Sequence, residues 1–524
     1  MKPRKYLSWP SGWALLVALT VSSPAHAAIK LHDLISDGAV LQQGTTVPIW
    51  GTANDGESVT VKFQNQSVAT TAQAGRWLIK LQPLQPGGPF TLTVTGTNTV
   101  EVKELLVGEV WVGSGQSNME LPSRFFSKGD AVLAAWVAAA PYPQLRLFQA
   151  KTKWQPATPE NLNGFSALLF AFGLRLQKVL GVPVGLIVGA VGGTPSGPWL
   201  SAAALHGDAA CQELIQQYAA TKYGPALQQY DRELADWKLA AATAQQQNKS
   251  PARQPPPLPK PGTTRDDPVG SFYEAFIYSL MPYAIRGVLW DQGEAGTGLA
   301  GVDQFTLMGA LIRGWRKDWA QSEFPFIYIQ KPSGGGCAWD YADPVTKNAD
   351  PFVPQPPGVP AFGIPELETH LRIRQYPNVG MVGSSDLGNG LHPQNKSGYG
   401  QRAAAVALGM VYVQKIEYSG PIYASHKLEG SKVRIQFTHV GRGLAFRHGD
   451  KLQGFAVAGA NKVFSWADAK IDGATVVLSC PQVPQPVAIR YAWVSLRPWA
   501  NLFNQDGLPA LPFNIDFATV NEGT

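Results

Sequence analysis

The segment Gly113-Ser114-Gly115-Gln116-Ser117-Asn118-Met119-Glu120 carries the residue types that could do chemistry in this 524-residue chain. It follows the apolar run Leu105–Gly113. A strand that ends in small residues lifts the next side chain above its sheet and brings backbone N–H groups close to a ligand. A serine there acts as a nucleophile when a base takes its proton and donors hold the oxyanion. The same segment also reads as a plain strand-to-loop turn in which Ser117 caps a helix. What decides between the two is what else reaches the same rim. Val191-Gly192-Gly193-Thr194 follows the apolar run Val184–Val188, and Trp290-Asp291-Gln292-Gly293-Glu294 follows Arg286–Leu289. Leu391-His392-Pro393 precedes an Ala-rich helical stretch. Ligands of open α/β sheets bind beyond the C-terminal strand ends, so these loops predict one pocket in which Ser117 and His392 meet.

The elements that position these loops read as an α/β layer. From about 106 to 417, apolar runs (105–113, 184–188, 286–290, 326–330) alternate with helical stretches at 165–180 and 395–413, which predicts a largely parallel sheet covered on both faces. Two insertions interrupt it. Residues 202–268 hold an Ala- and Gln-rich helix and the extended Pro-rich tract Pro251–Pro261; residues 332–364 hold Gly334-Gly335-Gly336 and several prolines. Residues 28–105 show short alternating runs between turn residues, as a β-sandwich requires, and 418–524 return to that pattern as a second β-domain. The N-terminus reads as an export leader. Lys2, Arg4 and Lys5 precede the short apolar run Trp13–Val21, and Ala25-His26-Ala27 supplies a cleavage site, giving a leader over 1–27.

Composition narrows the function classes. A net charge of +6 is spread along the chain without a basic block, so nucleic acid is not an expected partner. No stretch after the leader is apolar enough to span a bilayer. Cys211, Cys337 and Cys480 lie far apart, and the histidines show no ligand spacing, so neither a disulfide framework nor a metal site is expected. One disulfide would be compatible with export, with buried thiols as the alternative. His370 lies on a helical stretch at 366–375 and reads as a packed or solvated histidine, and Asn248-Lys249-Ser250 matches a glycosylation acceptor.

The ordered motifs resemble the sialate O-acetylesterase-like carbohydrate esterases of the SGNH hydrolase superfamily. The matching positions are Asp37 to Gln42 with Val47-Pro48-Ile49-Trp50-Gly51, Gly108-Glu109-Val110-Trp111 through Met119, and Gly192-Gly193-Thr194 with Trp199. Gly287 to Trp290 with Gln292-Gly293-Glu294, His392-Pro393 with Asn395-Lys396, Arg490 to Trp493 and Gly507-Leu508-Pro509 also match. The resemblance implies a three-layer α/β/α hydrolase domain between flanking β-domains, needing no metal or cofactor. It implies Ser117 as nucleophile and His392 as general base, then acid. The oxyanion donors would be the N–H of Ser117, the N–H of Gly193 (or Gly192) and the Gln292 side chain. The chain departs from the pattern at three places. Asn389 stands where an Asp usually orients the histidine, Gly197 stands where a Glu is usual, and Ala295-Gly296-Thr297 replaces Ser-Asn. Either another acid substitutes, with Asp386 first and Glu294 or Asp291 next, or a Ser–His pair works alone.

The function this implies is removal of O-acetyl groups from a carbohydrate by an exported serine esterase. Sialic acids and plant glycans such as xyloglucan or xylan are the substrate classes, with a lean to neutral glycans. Glu294, Trp339 and Arg124 are the candidate substrate contacts. A catalytically weakened carbohydrate-binding protein on the same scaffold is the alternative.

Overall fold

One long strand, β1 (Thr99–Gly115), carries the nucleophile segment at its end and organises the molecule around it. The computed structural model describes residues 28–149, 152–360 and 364–518; the expected leader lies outside them. Continuing in chain order are β2 (Tyr142–Gln149), β3 (Gln155–Ala157), β4 (Val184–Ala190), β5 (Gly287–Asp291), β6 (Phe326–Ile329) and β7 (Val379–Val382). They lie side by side as β3-β2-β4-β1-β5-β6-β7. Every neighbouring pair is parallel except β3 with β2, so the C-terminal ends of β1, β4, β5, β6 and β7 share one rim.

The strands alternate with period two between two cores, as pleated strands buried on both faces must. Trp111, Leu186, Leu289 and Ile327 face one core with α2 (Ala167–Leu180). Val112, Ile187, Val288 and Phe326 face the other with α3 (Gln304–Trp319). The last helix of the layer, α4 (Lys396–Met410), lies on the α2 side. Ser166, Asp303 and Asn395 cap α2, α3 and α4 by accepting backbone N–H bonds, which fixes where each rim loop ends. This is the three-layer α/β arrangement expected from the sequence.

Three N-terminal strands (Lys30–Leu31, Val47–Thr52 and Arg76–Leu81) form a sheet of their own, and the others join the central sheet. β1 begins before the expected boundary at 105 and pairs along its first half with Gly87–Thr95 and Val40–Gln42. The boundary therefore falls inside one continuous strand, and the apolar core on that side runs from Val59 and Trp77 into the hydrolase layer. Glu109, nearly inaccessible to solvent, ties the parts together. It pairs with Arg286 (2.6 Å) and accepts from the Gln42 and Gln43 amides and the Tyr412 hydroxyl. After residue 418 the chain forms antiparallel sheets of four, two and four strands around Val433, Ile435, Phe455, Ile489 and Phe513.

The first insertion contains a long helix (Gly224–Gln246) with no buried residue. Trp237 donates to the Ala252 carbonyl and so holds the Pro-rich tract along it. The second insertion starts between the β7 loop and the C-terminal part, where Gly334 and Gly336 donate to Ser384 and Ser385 and Gly335 accepts from Arg497. All three cysteines are buried free thiols; burial pushes those of Cys211 and Cys337 up to about 12. Among the described residues, no helix is long and apolar enough to cross a membrane.

Candidate active site

The turn after β1 is built by backbone proximity. Gly115 adopts φ +129°, and a Cβ there would collide with the Asp291 carbonyl at the end of β5. The Gln116 N–H donates to that carbonyl (3.0 Å), so the ends of β1 and β5 are laced together. One helical turn follows, α1 (Ser117–Glu120 by its bounds), with Met119 buried beneath it. Ser117 stays partly exposed on the rim. Its Oγ lies 2.9 Å from Nε2 of His392, which stands on the loop between β7 and α4. That loop is pinned at several points. Tyr399 donates to Gly388, and the Asn395 amide donates to Leu387 and Val345. Phe125 sets its ring edge-on to the imidazole, 6.1 Å between centroids. A hydroxyl in hydrogen-bond contact with an imidazole nitrogen is the geometry of an activated nucleophile.

The oxyanion donors named from the sequence separate once their partners are seen. Among the described residues, the N–H groups of Ser117 and Gly193 have no backbone partner, and Gly193 (φ +75°) faces open space. The Gly192 N–H is taken, donating to Glu120 Oε2 at 2.7 Å. A Cβ on Gly192 would lie 3.4 Å from that of Ser117, so this loop passes directly beside the nucleophile. Gln292 does not present a free amide. Its Nε2 donates to the carbonyls of Thr194 (3.3 Å) and Gly296 (3.1 Å), and its Oε1 accepts from Ser196. With 1% of its surface exposed, it ties two loops together instead of pointing at an oxyanion.

Asp386 is likewise placed elsewhere. Its carboxylate forms a two-pronged pair with Arg402 of α4 (3.2 and 2.8 Å), with both side chains buried. Asn389 donates to Asp350 on the second insertion. Asp291 and Glu294 both pair with Lys331, at 2.7 and 2.6 Å. Among the described residues, none of these groups hydrogen-bonds His392, whose ring makes one such contact, with Ser117. The arrangement is a Ser–His pair.

A buried ionic network underlies it, and the sequence reading missed most of it. Glu294 accepts from the amides of Gln116 and Asn118, the residues flanking Ser117. Asn118 also donates to the Leu391 carbonyl (2.9 Å) and accepts from Lys396 Nζ (2.6 Å). Burial works against charge on Glu294, but Lys331 and its hydrogen bonds outweigh it and hold the carboxyl below its usual value. Burial pushes Asp291 the other way. Burial also pulls Lys396 down to about 7, against the attraction of Asp291. Lys331 was findable: it stands just beyond β6, by the same strand-end rule that picked out the other loops.

Known proteins resemble this chain over most of its length. The sialate O-acetylesterase of Rattus norvegicus is 25% identical over 567 residues, spanning 95% of this chain and 96% of its own. That of Homo sapiens is 24% identical over 566 residues, spanning 96% and 95%. The crystal structure of a carbohydrate acetylesterase from Xanthomonas citri matches with a TM-score of 0.70 at 28% identity, covering 93% of this chain and 100% of that one. Over nearly its whole length the chain is similar to sialate O-acetylesterases and to a carbohydrate acetylesterase. It is a carboxylic-ester hydrolase. No protein-family model matches it.

Within this sialate O-acetylesterase-like chain, the remaining candidates sort by position. An open groove of about 430 Å³ borders the His392 loop, lined among others by Glu294, Ser333, Asn389, Leu391 and Leu496. Leu391 (66% exposed), Leu496 (58%) and Phe125 (51%) leave apolar surface around the pair. Trp339 packs on Phe503 beneath the Arg447 guanidinium and does not line this groove. Arg124 turns to the Asn163 carbonyl. His370 is buried, accepts from the Lys331 N–H, and is pulled down to about 3 by burial, so it is a packing residue. Gly197 also has a physical reason to be small. A Cβ there would lie 2.9 Å from Thr264 of the first insertion and from the Thr297 carbonyl, so the insertion fills the space a larger residue would need.

Proposed function

We propose that the protein removes O-acetyl groups from a carbohydrate through an acetyl-serine intermediate. The observation that carries this reading is the 2.9 Å contact between Ser117 Oγ and His392 Nε2 on the shared strand rim. Ser117 Oγ attacks the acetyl carbonyl carbon while its proton passes to Nε2. The carbonyl π bond opens to an oxyanion, which the free N–H groups of Ser117 and Gly193 are placed to hold. Collapse expels the sugar oxygen, which takes the proton from Nε2. Water then loses a proton to Nε2 and attacks the acetyl-serine, and breaking the Oγ–carbonyl bond frees acetate as the proton returns to Ser117. Asp386 and Gln292 take no part in these steps; they support the loops.

The groove favours a neutral glycan over a sialate. Glu120 and Glu294 both stand beside the nucleophile turn. The nearby cations are engaged, Lys331 with two carboxylates and Arg124 with a carbonyl. A substrate carboxylate would meet like charge from Glu120 there. The leader-like residues 1–27 support export of the enzyme. The test is acetate release by Ser117→Ala across acetylated xyloglucan, xylan and sialic acid. Loss of release with the fold intact is the expected result, and undiminished release would end the assignment.

A further inference from the structure

The Asn118 side chain bridges the two halves of the Ser–His pair's support. Its backbone follows Ser117 directly, and its amide donates to the carbonyl of Leu391, the residue before His392 (2.9 Å). The same amide donates to Glu294 Oε1 (2.9 Å), and Oδ1 accepts from Lys396 Nζ (2.6 Å). The side chain is buried, with 1% of its surface exposed. Lys396 is itself held between the rings of Phe126 (4.7 Å) and Tyr399 (5.4 Å). Each of the amide's polar atoms therefore has a fixed partner, and its orientation is set from outside the turn.

We propose that Asn118 is a positioning residue that fixes the distance between Ser117 and His392 by clamping the Leu391 carbonyl. This rests on the Ser117–His392 reading given above. In a triad, a carboxylate orients the imidazole through its second nitrogen. Here the histidine is oriented through the backbone beside it. A shift of the loop by about 1 Å opens the Oγ–Nε2 contact, and a displacement of that size costs about 100-fold in rate. Because Asn118 reaches neither substrate nor the reacting atoms, the loss falls on kcat and leaves KM in place.

Asn118→Asp and Asn118→Ala test this by the order of their effects. The Asp variant keeps the volume and the contact with Lys396, but sets a carboxylate oxygen against the Leu391 carbonyl and Glu294. The Ala variant removes the clamp without repulsion. Clamping predicts that kcat on a small acetyl ester falls about 100-fold in Asn118→Asp and less in Asn118→Ala, with KM within about twofold. Activity is read well below each variant's thermal transition, measured on the same preparation. Wild-type kcat in both variants, or a loss of kcat that appears only where the fold is lost, overturns the proposal. If Asn118→Asp does not fold, Asn118→Ala decides alone: a fall in kcat of about tenfold or more at constant KM supports the clamp, and unchanged kcat refutes it. Ser117→Ala run beside them separates the two levels: activity retained there removes the underlying reading, whereas activity lost there with the Asn118 variants unaffected removes the clamp alone.

Discussion

Asp386→Asn separates the Ser–His pair from a triad more sharply than any other single change. Asp386 is fully buried and its carboxylate is shared between both Nη atoms of Arg402, at 3.2 and 2.8 Å. Removing the charge leaves the guanidinium, 7% exposed, without its counter-ion. Breaking a buried pair on one side costs about 3–5 kcal/mol. Asparagine still offers one acceptor to Arg402, so the lower end, about 3 kcal/mol, is the better estimate. In a protein of this size that lowers the melting temperature by several degrees, about 2–4 °C per kcal/mol at most. The effect on chemistry is small by comparison. If Asp386 oriented His392, the same substitution would cost about 10⁴ in kcat, as loss of the orienting acid does in a serine triad. The assay is steady-state hydrolysis of a small acetyl ester well below the melting transition, with a thermal scan on the same preparation. A lowered transition with kcat within about fivefold is expected. A loss near 10⁴ in kcat with an unmoved transition would refute the placement of Asp386.

Further expectations follow from the other placements. Gln292→Ala should destabilise the protein through the freed Thr194, Ser196 and Gly296 groups, with a smaller kcat loss than the 10²–10³ typical of a lost oxyanion donor; a loss of that size without destabilisation would restore it to the oxyanion site. Glu120→Gln keeps an acceptor for the Gly192 N–H but removes a charge beside Ser117. It should raise kcat/KM for an anionic acetyl ester relative to a neutral one by about 3- to 10-fold at low salt, less at high salt, and an unchanged ratio would count against charge exclusion. Burial lowers Lys396 from 10.5 to about 7, so between those values the unfolded chain holds a proton that the folded protein has released. This contribution to stability therefore rises with pH from 7 toward 10.5, and below 7 the cost of the buried ammonium is present in full. Melting temperatures measured from pH 6 to 9 should climb less in Lys396→Met than in the wild type, and parallel curves would show that the lysine is not the source.

The layer architecture was legible because it rests on local signals. Apolar runs such as Val184–Val188 and Phe326–Gln330 can only be strands buried on both faces, and the observed strands at 184–190 and 326–329 agree with them. Ser117 and His392 were legible because the strand-end rule sends both to one rim. The chain-distant partners were not. Gln292 and Asp386 have the right residue type and the right loop, but which way a side chain turns depends on the group waiting for it. Arg402 waits for Asp386 from a helix turn that no pattern links to it, and Ser196 and Gly296 close around Gln292. The run of the chain through the N-terminal boundary was hidden for a different reason. The expected boundary at 105 sits where the apolar run Leu105–Gly113 begins, yet nothing breaks the chain there, and β1 runs through it.

Among the described residues no carboxylate bonds the His392 ring, which changes what must hold it. An orienting acid does two things: it fixes the ring and it stabilises the imidazolium. The ring is constrained here by its neighbours. Pro393 restricts the backbone of His392, Asn118 holds the Leu391 carbonyl, and Phe125 covers one side of the ring. None of these supplies charge. Negative charge beside the nucleophile turn belongs to Glu120 at Gly192 and to Glu294, and Lys331 offsets the second. On the proposed chemistry, stabilisation of the transition state then falls mainly on the oxyanion donors, because charge stabilisation on the imidazolium side is weak. Gly193 becomes the more sensitive half of the site. Its N–H is free and its φ of +75° is one that an L-residue adopts at a cost of about 1–2 kcal/mol. Gly193→Ala meets no clash, since nothing lies within 4 Å of the new Cβ, so any loss reports backbone conformation alone. If the loop keeps its shape, kcat stays near wild type; if it relaxes to negative φ, the donor turns away and kcat falls by about 10²–10³, as loss of one oxyanion donor does. Equal kcat in a variant whose crystal structure shows the peptide flipped would remove Gly193 from the oxyanion site.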